Sequence, residues 1–364
     1  MGEEFTRTGR SAAVVLARLT GAAVVAIALG WSSDAAAQAS CPNRGQLDTA
    51  YCDADNDLVA DVPTDPARLK DPSALIFAYS PVENPAVYQA VYQPFMDYLA
   101  GCTAKRVVYF PVQSNAAQVE AMRSGRLHIS GFATGVVGFA VNLAGAVPFA
   151  VIGSEKGVSG YKLFAIVKAD SPYKAIPELK GKRVAHTAPS SNSGNLAPRV
   201  FFPDLGLAPD RDYTPLMSGG HDRSVLGVAS GDYDMAPVAS DVYERMVARG
   251  AVKPDAVRVI WESETFPTSS WSMPHDLKPE LAARIGKCFY DYRFSEGLQK
   301  EYVGQDRLLP MTYKETWRPI REVAEKSGTP YNKAAYDAQT RREAEAAARK
   351  AAEEAAKAAQ PPKQ

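Results

Sequence analysis

A cluster of small polar residues stands between a predicted strand and a predicted helix in the segment HTAPSSNSGNLAP, residues 186–198. The preceding KRVAHTA is typical of a short buried strand, and the following GNLAPRVFFPDLG favours a helix closed by Gly206. Hydroxyl, amide and backbone N–H groups at the start of a helix point donors at one spot, where the helix dipole also favours negative charge. The cluster therefore predicts an anion site that uses Ser191, Asn192 and Ser193.

The overall composition limits the fold and the partners. The chain has 364 residues, of which 46% are hydrophobic and 23% are charged, so it can bury one large core or two ordinary ones. Lysine plus arginine and aspartate plus glutamate are equal at 41 each, so no basic field for nucleic acid is expected. We expect two lobes.

The first 39 residues are typical of an export signal. Three arginines precede or border the apolar run LTGAAVVAIALGW, and AAAQA offers a cleavage site after Ala39. This run is shorter than the roughly 20 residues of a membrane-spanning helix, so an anchor is not expected. Cys41 raises lipid attachment as an alternative, but Gln38 stands where the lipid-modification signal carries an aliphatic residue. We expect release into the periplasm.

Four cysteines in an exported chain favour disulfides. Cys41 and Cys52 close a short loop in a segment with little apolar content, and we expect them to pair. Cys102 and Cys288 can pair only if the fold brings them together. No cysteine stands in an obvious helix-start or basic context, so thiolate catalysis is not expected.

The segment DADNDLVAD holds four acidic residues at a spacing that lets carboxylates converge on calcium: Asp53, Asp55, Asp57 and Asp61. Leu58 stands where an EF-hand loop has glycine, and no glutamate follows at the twelfth position, so an EF-hand is not expected. The segment is similar to the short Asp-rich calcium loops of secreted repeat proteins. A solvated acidic loop is the alternative interpretation.

Two stretches of the chain repeat one pattern, a helix that ends in Ser-Gly followed by a short strand. They are VEAMRSGRLHIS, which starts at Val119, and VLGVASGDYDMA, which starts at Val225. Each glycine is predicted to end its helix in the left-handed conformation. The repeat predicts two similar α/β lobes that direct loops at a shared cleft, with Thr134 in the place of Ser240 and Asp241.

Five segments carry a joint resemblance to a known family. They are FAYSPVENPAVYQAVYQPFMDYL, AMRSGRLHIS, GYKLFAIVKADSPYKAIPELKGKRVAHTAPSSNSGNLAP, GGHDRSVLGVASGDYDMA and VIWESETFPTSSW. Over about residues 73–316 the chain resembles the periplasmic binding proteins of phosphonate and phosphite ABC importers. The resemblance implies a two-lobe α/β fold of the Venus-flytrap type, with a hinge and the ligand in the cleft. It also implies a monomer without enzymatic activity or cofactor that delivers a phosphorus oxyanion to an inner-membrane permease and ATPase.

The expected organisation divides the chain into six parts. They are the export signal over 1–39, an acidic cysteine-containing segment over 40–70, the first part of lobe 1 over 71–160, lobe 2 over 161–262, the return of lobe 1 over 263–336 and a tail over 337–364. The tail is rich in strong helix formers but has almost no large apolar residue. We expect a solvated helix or frayed tail outside the core.

The resemblance also identifies ligand contacts residue by residue. Residues 191–193 take the place of a Ser-Thr-Ser turn at a helix start, with Asn192 keeping a donor in the middle position. Tyr161 matches an aromatic residue on the linking strand, His221 a histidine after the next strand, and Asp241 an acidic residue twenty positions later. Apart from Asp241, these positions imply donors directed at one oxyanion.

The first lobe departs from the family pattern. Where many members carry a tyrosine ahead of the AMR helix, this chain has QSNAA, so Ser114 or Asn115 is expected to face the ligand. Thr134, at the start of the helix after LHIS, is a further candidate donor.

Two positions, Asp241 and Ser269, indicate the chemical nature of the ligand. Asp241 would repel an oxyanion unless a proton or a cationic group lies between them, so we expect a partly protonated ligand. In members that take up aminoethylphosphonate, a loop aspartate pairs with the ammonium group, whereas the matching position here is Ser269. Burying an ammonium group without a partner costs several kcal/mol of binding free energy. We therefore expect phosphite, methylphosphonate or phosphate, with Phe266 or Trp271 lining the pocket end.

Two other functional classes remain open. Ser191 or Ser193, with His221 and Asp241, has the residue types of a hydrolytic triad, but the G-x-S-x-G elbow is missing. An exported sensor for the same anions would share the binding site, and the sequence does not separate a sensor from an importer component.

Overall fold

A computed structural model describes residues 41–358, so the export signal predicted over residues 1–39 lies outside the described residues. Fourteen strands and eleven α-helices form within this part of the chain. None of these helices combines the length and the apolar character that crossing a membrane requires.

The first lobe is built around a seven-stranded mixed sheet. Its strands are β1 Ala74–Tyr79, β2 Arg106–Tyr109, β3 Ile129–Phe132, β4 Ala146–Ser154, β5 Gly157–Val158, β13 Ser270–Pro274 and β14 Arg307–Pro310. They follow the order β14-β4-β13-β3-β1-β2, with β5 paired to β4. β1 is parallel to β2 and β3, whereas β13 and β14 are antiparallel to β4.

The second lobe is smaller and contains an antiparallel three-stranded sheet. Its strands are β7 Leu163–Lys168, β10 Ala236–Ala239 and β11 Val257–Glu262, with β7 in the middle, and a parallel pair, β8 Ala185–His186 and β9 Leu216–Met217, lies beside them. A single bridge between Val184 and Met235 connects this pair to the chain that leads into β10.

The chain crosses between the lobes on two short strands, β6 Gly160–Tyr161 and β12 Phe266–Pro267. They pair antiparallel, with Tyr161 opposite Phe266. The two crossings predicted from the sequence are therefore neighbours, and a rotation between the lobes would be absorbed by a few residues at strand ends.

Helices cover both lobes, and their order confirms the internal repeat. The helices are α1 Ala86–Thr103, α2 Asn115–Arg123, α3 Val137–Ala144, α4 Ala197–Asp204, α5 His221–Ser230, α6 Ser240–Ala248, α7 Pro279–Asp291, α8 Glu296–Glu301, α9 Tyr313–Thr316, α10 Arg318–Lys326 and α11 Lys333–Ala358. Gly125 follows α2 with φ +72 and Gly231 follows α5 with φ +88, as the repeat predicts. In both copies a strand and a further helix follow.

The tail predicted over residues 337–364 belongs to α11 as far as Ala358, but the expectation that it is solvated is wrong at Gln339. Gln339 is only 3% exposed, and the Tyr336 hydroxyl donates to the Ala116 carbonyl at 2.9 Å. Tyr331, just before the helix, is buried and its carbonyl accepts from the Asn142 amide. Composition pointed to a solvated tail because large apolar residues are scarce there, whereas polar side chains make most of these contacts.

Both disulfides are formed. Cys41–Cys52 confirms the expected pair, and Cys102–Cys288, which the sequence left open, connects α1 to α7 across 186 positions. Cys288 lies in the aromatic core of the first lobe, where Phe95 of α1 contacts Phe289 of α7. The second disulfide therefore ties together two helices that pack on the same sheet.

Removing the Cys102–Cys288 disulfide with a Cys102→Ala/Cys288→Ala double variant should lower the free energy of unfolding by roughly 2–5 kcal/mol, because a long loop of the unfolded chain is released. The matched Cys41→Ala/Cys52→Ala variant opens a much shorter loop and should lose less. Denaturant titration measures both. An equal or larger loss in the Cys41/Cys52 variant would contradict this ranking.

Candidate anion-binding site

A small cavity of about 50 Å³ lies where loops of the two lobes face each other. Its lining includes all nine ligand contacts expected from the sequence: Asn115, Thr134, Tyr161, Ser191, Asn192, Ser193, His221, Asp241 and Ser269. Space of this size holds on the order of four waters or a compact tetrahedral anion. The structure thus brings these residues together, while their contact with a ligand stays a prediction.

The polar cluster begins a helical turn, as the sequence predicts. Ser191 caps the turn Asn192–Leu196, which continues directly into α4, and its Oγ accepts from the Gly194 N–H at 3.1 Å. Asn192 and Ser193 are buried. The first N–H groups of such a turn have no carbonyl partner within it, so they are available to an anion.

His221 is held in one tautomer by the backbone. The Ala239 N–H donates to His221 Nδ1 at 3.0 Å, so Nδ1 must be an acceptor and the ring proton must lie on Nε2. Burial lowers the pKa of His221 to about 4, so the ring is neutral at neutral pH. His221 Nε2 lies 3.3 Å from Ser191 Oγ and therefore donates to it.

The Ser191 hydroxyl is consequently turned into a donor. Its oxygen accepts two hydrogen bonds, from the Gly194 N–H and from His221 Nε2. A hydroxyl oxygen has two lone pairs, so the remaining function of the group is to donate its own proton. Because Ser191 lines the cavity, that proton is available to an anion bound there.

Tyr161 and Asn192 form a second polar pair on the cavity wall. Asn192 Nδ2 donates to the Tyr161 hydroxyl at 3.0 Å, and burial raises the pKa of Tyr161 to about 12, so the phenol keeps its proton. The Asn192 Oδ1 atom is buried without a partner among the described residues. An unpaired buried acceptor is costly, and a protonated ligand oxygen would satisfy it.

The first lobe approaches this turn closely. Gly135 leaves no room for a side chain, because a Cβ there would lie 2.2 Å from the Ser190 carbonyl oxygen. Asn115, not Ser114, lines the cavity and donates through Nδ2 to Ser190 Oγ at 2.8 Å. Ser114 instead caps α2 by accepting from the Ala117 N–H. Thr134 lines the cavity, but its hydroxyl donates to the Pro267 carbonyl at 3.1 Å.

Arg245 is a cavity residue that the sequence reasoning missed. Its side chain is 3% exposed, and Nη1 lies 2.9 Å from Asp241 Oδ2 on the same helix. Burial alone would lower the pKa of Arg245, but neighbouring acids, Asp241 foremost, raise it well above its usual value. The positive charge of Arg245 thus offsets the carboxylate that would repel an anion. The i, i+4 spacing of Asp241 and Arg245 was the available signal.

The same arginine belongs to a buried ionic cluster that joins the lobes. Glu83 follows β1 and Glu301 ends α8, both in the first lobe, whereas in the second lobe Arg245 lies on α6 and Arg249 directly follows that helix. Arg245 approaches Glu83 at 3.4 Å and Glu301 at 3.2 Å, and Arg249 pairs with both acids, with Glu301 at 2.8 Å. The two acids and Arg245 are almost fully buried.

The aromatic lining expected from FPTSSW is wrong. Trp271 packs against Phe77 at 5.0 Å in the core of the first lobe, and Phe266 packs beside Tyr161 and Phe201. Neither lines the cavity, where Tyr79 and Thr187 lie instead. The error arises because β13 is a buried strand of the first-lobe sheet, so Trp271 is taken up by the aromatic core of that lobe.

The acidic loop lies outside this cavity. Carboxylate oxygens of Asp53, Asp55 and Asp57 come within 4.8 Å of one another, and Asp61 is not part of that group. Asp53 is buried and accepts from the N–H groups of Asp57 and Leu58. Calcium binding by this loop stays a prediction.

Comparison with known proteins shows which family this chain resembles. Residues 77–312 match the family model for the periplasmic substrate-binding protein of phosphonate ABC transporters. The phosphate-import protein PhnD of Mycolicibacterium smegmatis is 27% identical over 258 residues, which cover 68% of this chain and 80% of that protein.

Two solved structures share the fold. One is a binding protein component of an ABC phosphonate transporter from Pseudomonas aeruginosa, with a TM-score of 0.64 and 20% identity over 78% of this chain and 100% of that chain. The other is PhnD1 from Prochlorococcus marinus in complex with methylphosphonate, with a TM-score of 0.62 and 18% identity over 71% and 99%.

The fold and the cleft define a two-lobe periplasmic binding protein, which confirms the predicted fold class. The chain belongs to the phosphonate family of periplasmic substrate-binding proteins of ABC transporters, which confirms the resemblance on which the site residues were predicted.

Replacing Arg245 with methionine should lower the free energy of unfolding by roughly 3–5 kcal/mol, because it removes the buried cation and leaves the two buried carboxylates of Glu83 and Glu301 to share Arg249 alone. Arg123→Met is the matched control, since Arg123 pairs with Glu120 on the surface and its loss should change stability by less than about 1 kcal/mol. Denaturant titration compares the two. Equal losses would show that the buried cluster is not a stabilising contact between the lobes.

The buried histidine gives the protein a defined acid sensitivity. The pKa of His221 is about 4 in the folded chain and near 6.5 when unfolded, so only the unfolded state takes up its proton between these values. His221 therefore does not lower the free energy of unfolding above pH 6.5. As the pH falls toward 4, its protonation in the unfolded state lowers that free energy by about 3 kcal/mol in total. In His221→Asn, unfolding free energy measured from pH 7.5 to 4.5 should fall less steeply than in the wild type. Equal slopes of unfolding free energy against pH in the two proteins would exclude His221 as a source of the acid sensitivity.

Proposed function

We propose that this protein captures a compact phosphorus oxyanion, namely phosphite, methylphosphonate or phosphate, in the periplasm and delivers it to the permease and ATPase of an ABC importer. The observation that carries the proposal is the Ser191 hydroxyl, which accepts from two donors and therefore has its own proton free to donate to an anion in the small cavity that it lines. The N–H groups that start the Asn192–Leu196 turn add further donors.

The charges around the cavity support an anionic ligand that carries one proton. Asp241 is paired with Arg245, so it does not oppose the ligand as an isolated charge. The unpartnered Asn192 Oδ1 provides an acceptor for a P–OH group, a role that the sequence assigned to Asp241 alone. Ser269 lines the cavity without charge, which favours a small uncharged substituent over an ammonium-bearing one.

The geometry favours binding over hydrolysis. A triad needs a histidine that accepts the serine proton, but His221 Nε2 carries a proton and donates to Ser191. Nδ1 is taken by the Ala239 N–H, and Asp241 pairs with Arg245 instead of orienting the ring. The proposed function needs no cofactor and is carried out by a monomer after removal of the export signal. A sensor would use the same site, and finding genes for a permease and an ATPase beside this one would favour the importer role.

A calorimetric panel of phosphite, methylphosphonate, phosphate and aminoethylphosphonate tests the proposal on mature protein that has been unfolded and refolded to remove carried-over anions. We expect phosphite or methylphosphonate to bind tightest and aminoethylphosphonate to bind weakest. Tightest binding of aminoethylphosphonate would overturn the preference for compact ligands. Absence of binding to all four would overturn the proposed function.

Within the same panel, Ser191→Ala should weaken binding by roughly 1.5–3 kcal/mol, the value of one hydrogen bond to a charged group. Ser230→Ala is the matched control, because Ser230 is exposed at the end of α5 and bonds only to its own turn. Thr134→Ala tests the first-lobe candidate, and unchanged affinity would remove Thr134 from the site. Equal affinity of Ser191→Ala and Ser230→Ala would show that Ser191 does not contact the ligand.

A further inference from the structure

The helix α11, which lies beyond the segment that matches the family, contacts both lobes beside the cleft. On the first lobe, the Tyr336 hydroxyl donates to the Ala116 carbonyl at 2.9 Å. On the second lobe, Gln339 Nε2 donates to the Pro189 carbonyl at 3.4 Å. The helix therefore spans the two sides of the cleft within three residues of its own sequence.

One turn further along α11, Glu343 completes a chain of hydrogen bonds. Asn115 Nδ2 donates to Ser190 Oγ at 2.8 Å, and Ser190 Oγ donates to Glu343 Oε1 at 3.1 Å. Ser190 immediately precedes the Ser191 cap, so the carboxylate holds the first-lobe Asn115 against the turn that forms the anion site.

A second cavity of about 290 Å³ lies under this part of α11. Arg223, Glu343 and Ala347 line it, and it shares Asn115, Ala188 and Gly219 with the smaller anion cavity. The two spaces are therefore neighbours across the Asn115–Ser190 contact. α11 lines one side of the outer space through Glu343, Ala347 and Ala351, and Asn115 lines both spaces.

We propose that Glu343 is a positioning residue of the anion site, acting through Ser190 and Asn115, and that α11 retains the ligand by holding the two lobes together at this edge of the cleft. The proposal rests on the proposed function for its ligand. Its physical basis is that the Asn115–Ser190 contact joins the lobes and that Ser190 needs the Glu343 acceptor for its own proton.

Glu343→Ala, Glu343→Gln and Glu345→Ala should be compared with the wild type for methylphosphonate affinity, dissociation rate and melting temperature. Glu345 is the matched control, since it is an exposed residue of the same helix. Glu343→Ala should raise Kd about tenfold, mainly through faster dissociation, because one hydrogen bond to a charged acceptor is lost. Glu343→Gln keeps an oxygen acceptor for Ser190 and should restore affinity to within about threefold of the wild type.

A double-mutant comparison separates positioning from general stability. Ser190→Ala should weaken binding about as much as Glu343→Ala, and the double variant should be no weaker than either one, because both changes break the same chain of contacts. Additive losses, or a Glu343→Ala affinity equal to that of Glu345→Ala, would overturn the proposal. So would a Glu343→Gln variant as weak as Glu343→Ala.

A ligand-free measurement keeps this test independent of the proposed function. Hydrogen exchange of residues 113–118 and 188–194 should be faster in Glu343→Ala than in Glu345→Ala when no anion is present. Faster exchange combined with no binding of any panel anion would reject the proposed function but leave the contact between the lobes established. Unchanged exchange would overturn the proposed role of Glu343, whatever the ligand.

Discussion

A buried guanidinium needs acidic partners, and Arg245 has all three of its partners only where the two lobes meet. Its own helix provides Asp241, and the first lobe provides Glu83 and Glu301. Without the first lobe, Arg245 would keep one acid, and both first-lobe acids would lose a partner in a nearly water-free place. This electrostatic requirement favours the arrangement in which loops of both lobes line the small cavity.

The same requirement determines what the cavity can bind. Because Arg245 offsets Asp241, the polar groups that remain are mostly neutral: hydroxyls, backbone N–H groups and an imidazole that donates to Ser191. The Ala239 N–H sets the tautomer of His221, His221 sets the direction of the Ser191 proton, and the helical turn adds its unpaired N–H groups. Such a site stabilises an anion through fixed dipoles, which need little reorganisation when the ligand arrives.

Much of the fold and of the site could be predicted from the sequence. Gly125 and Gly231 marked a repeated helix-strand unit, and the polar run around Ser191 marked a helix start beside an anion site, because both signals depend on local backbone chemistry. Position-by-position matching to a family then identified nine residues that line one cavity. Export and release into the periplasm stay predictions, since residues 1–39 lie outside the described part.

Local chemistry and residue spacing thus determined the helix starts, the two-lobe pattern and the Cys41–Cys52 pair. Only the tertiary structure decided which distant groups meet. It brought Cys102 to Cys288, Arg245 to Glu83 and Glu301, and Glu343 to Ser190. It also decided that Trp271 packs in the core of the first lobe and that Ser269 lines the cavity. The physical reason is that these contacts depend on how the lobes pack, and the sequence specifies packing only through the energy of the whole chain.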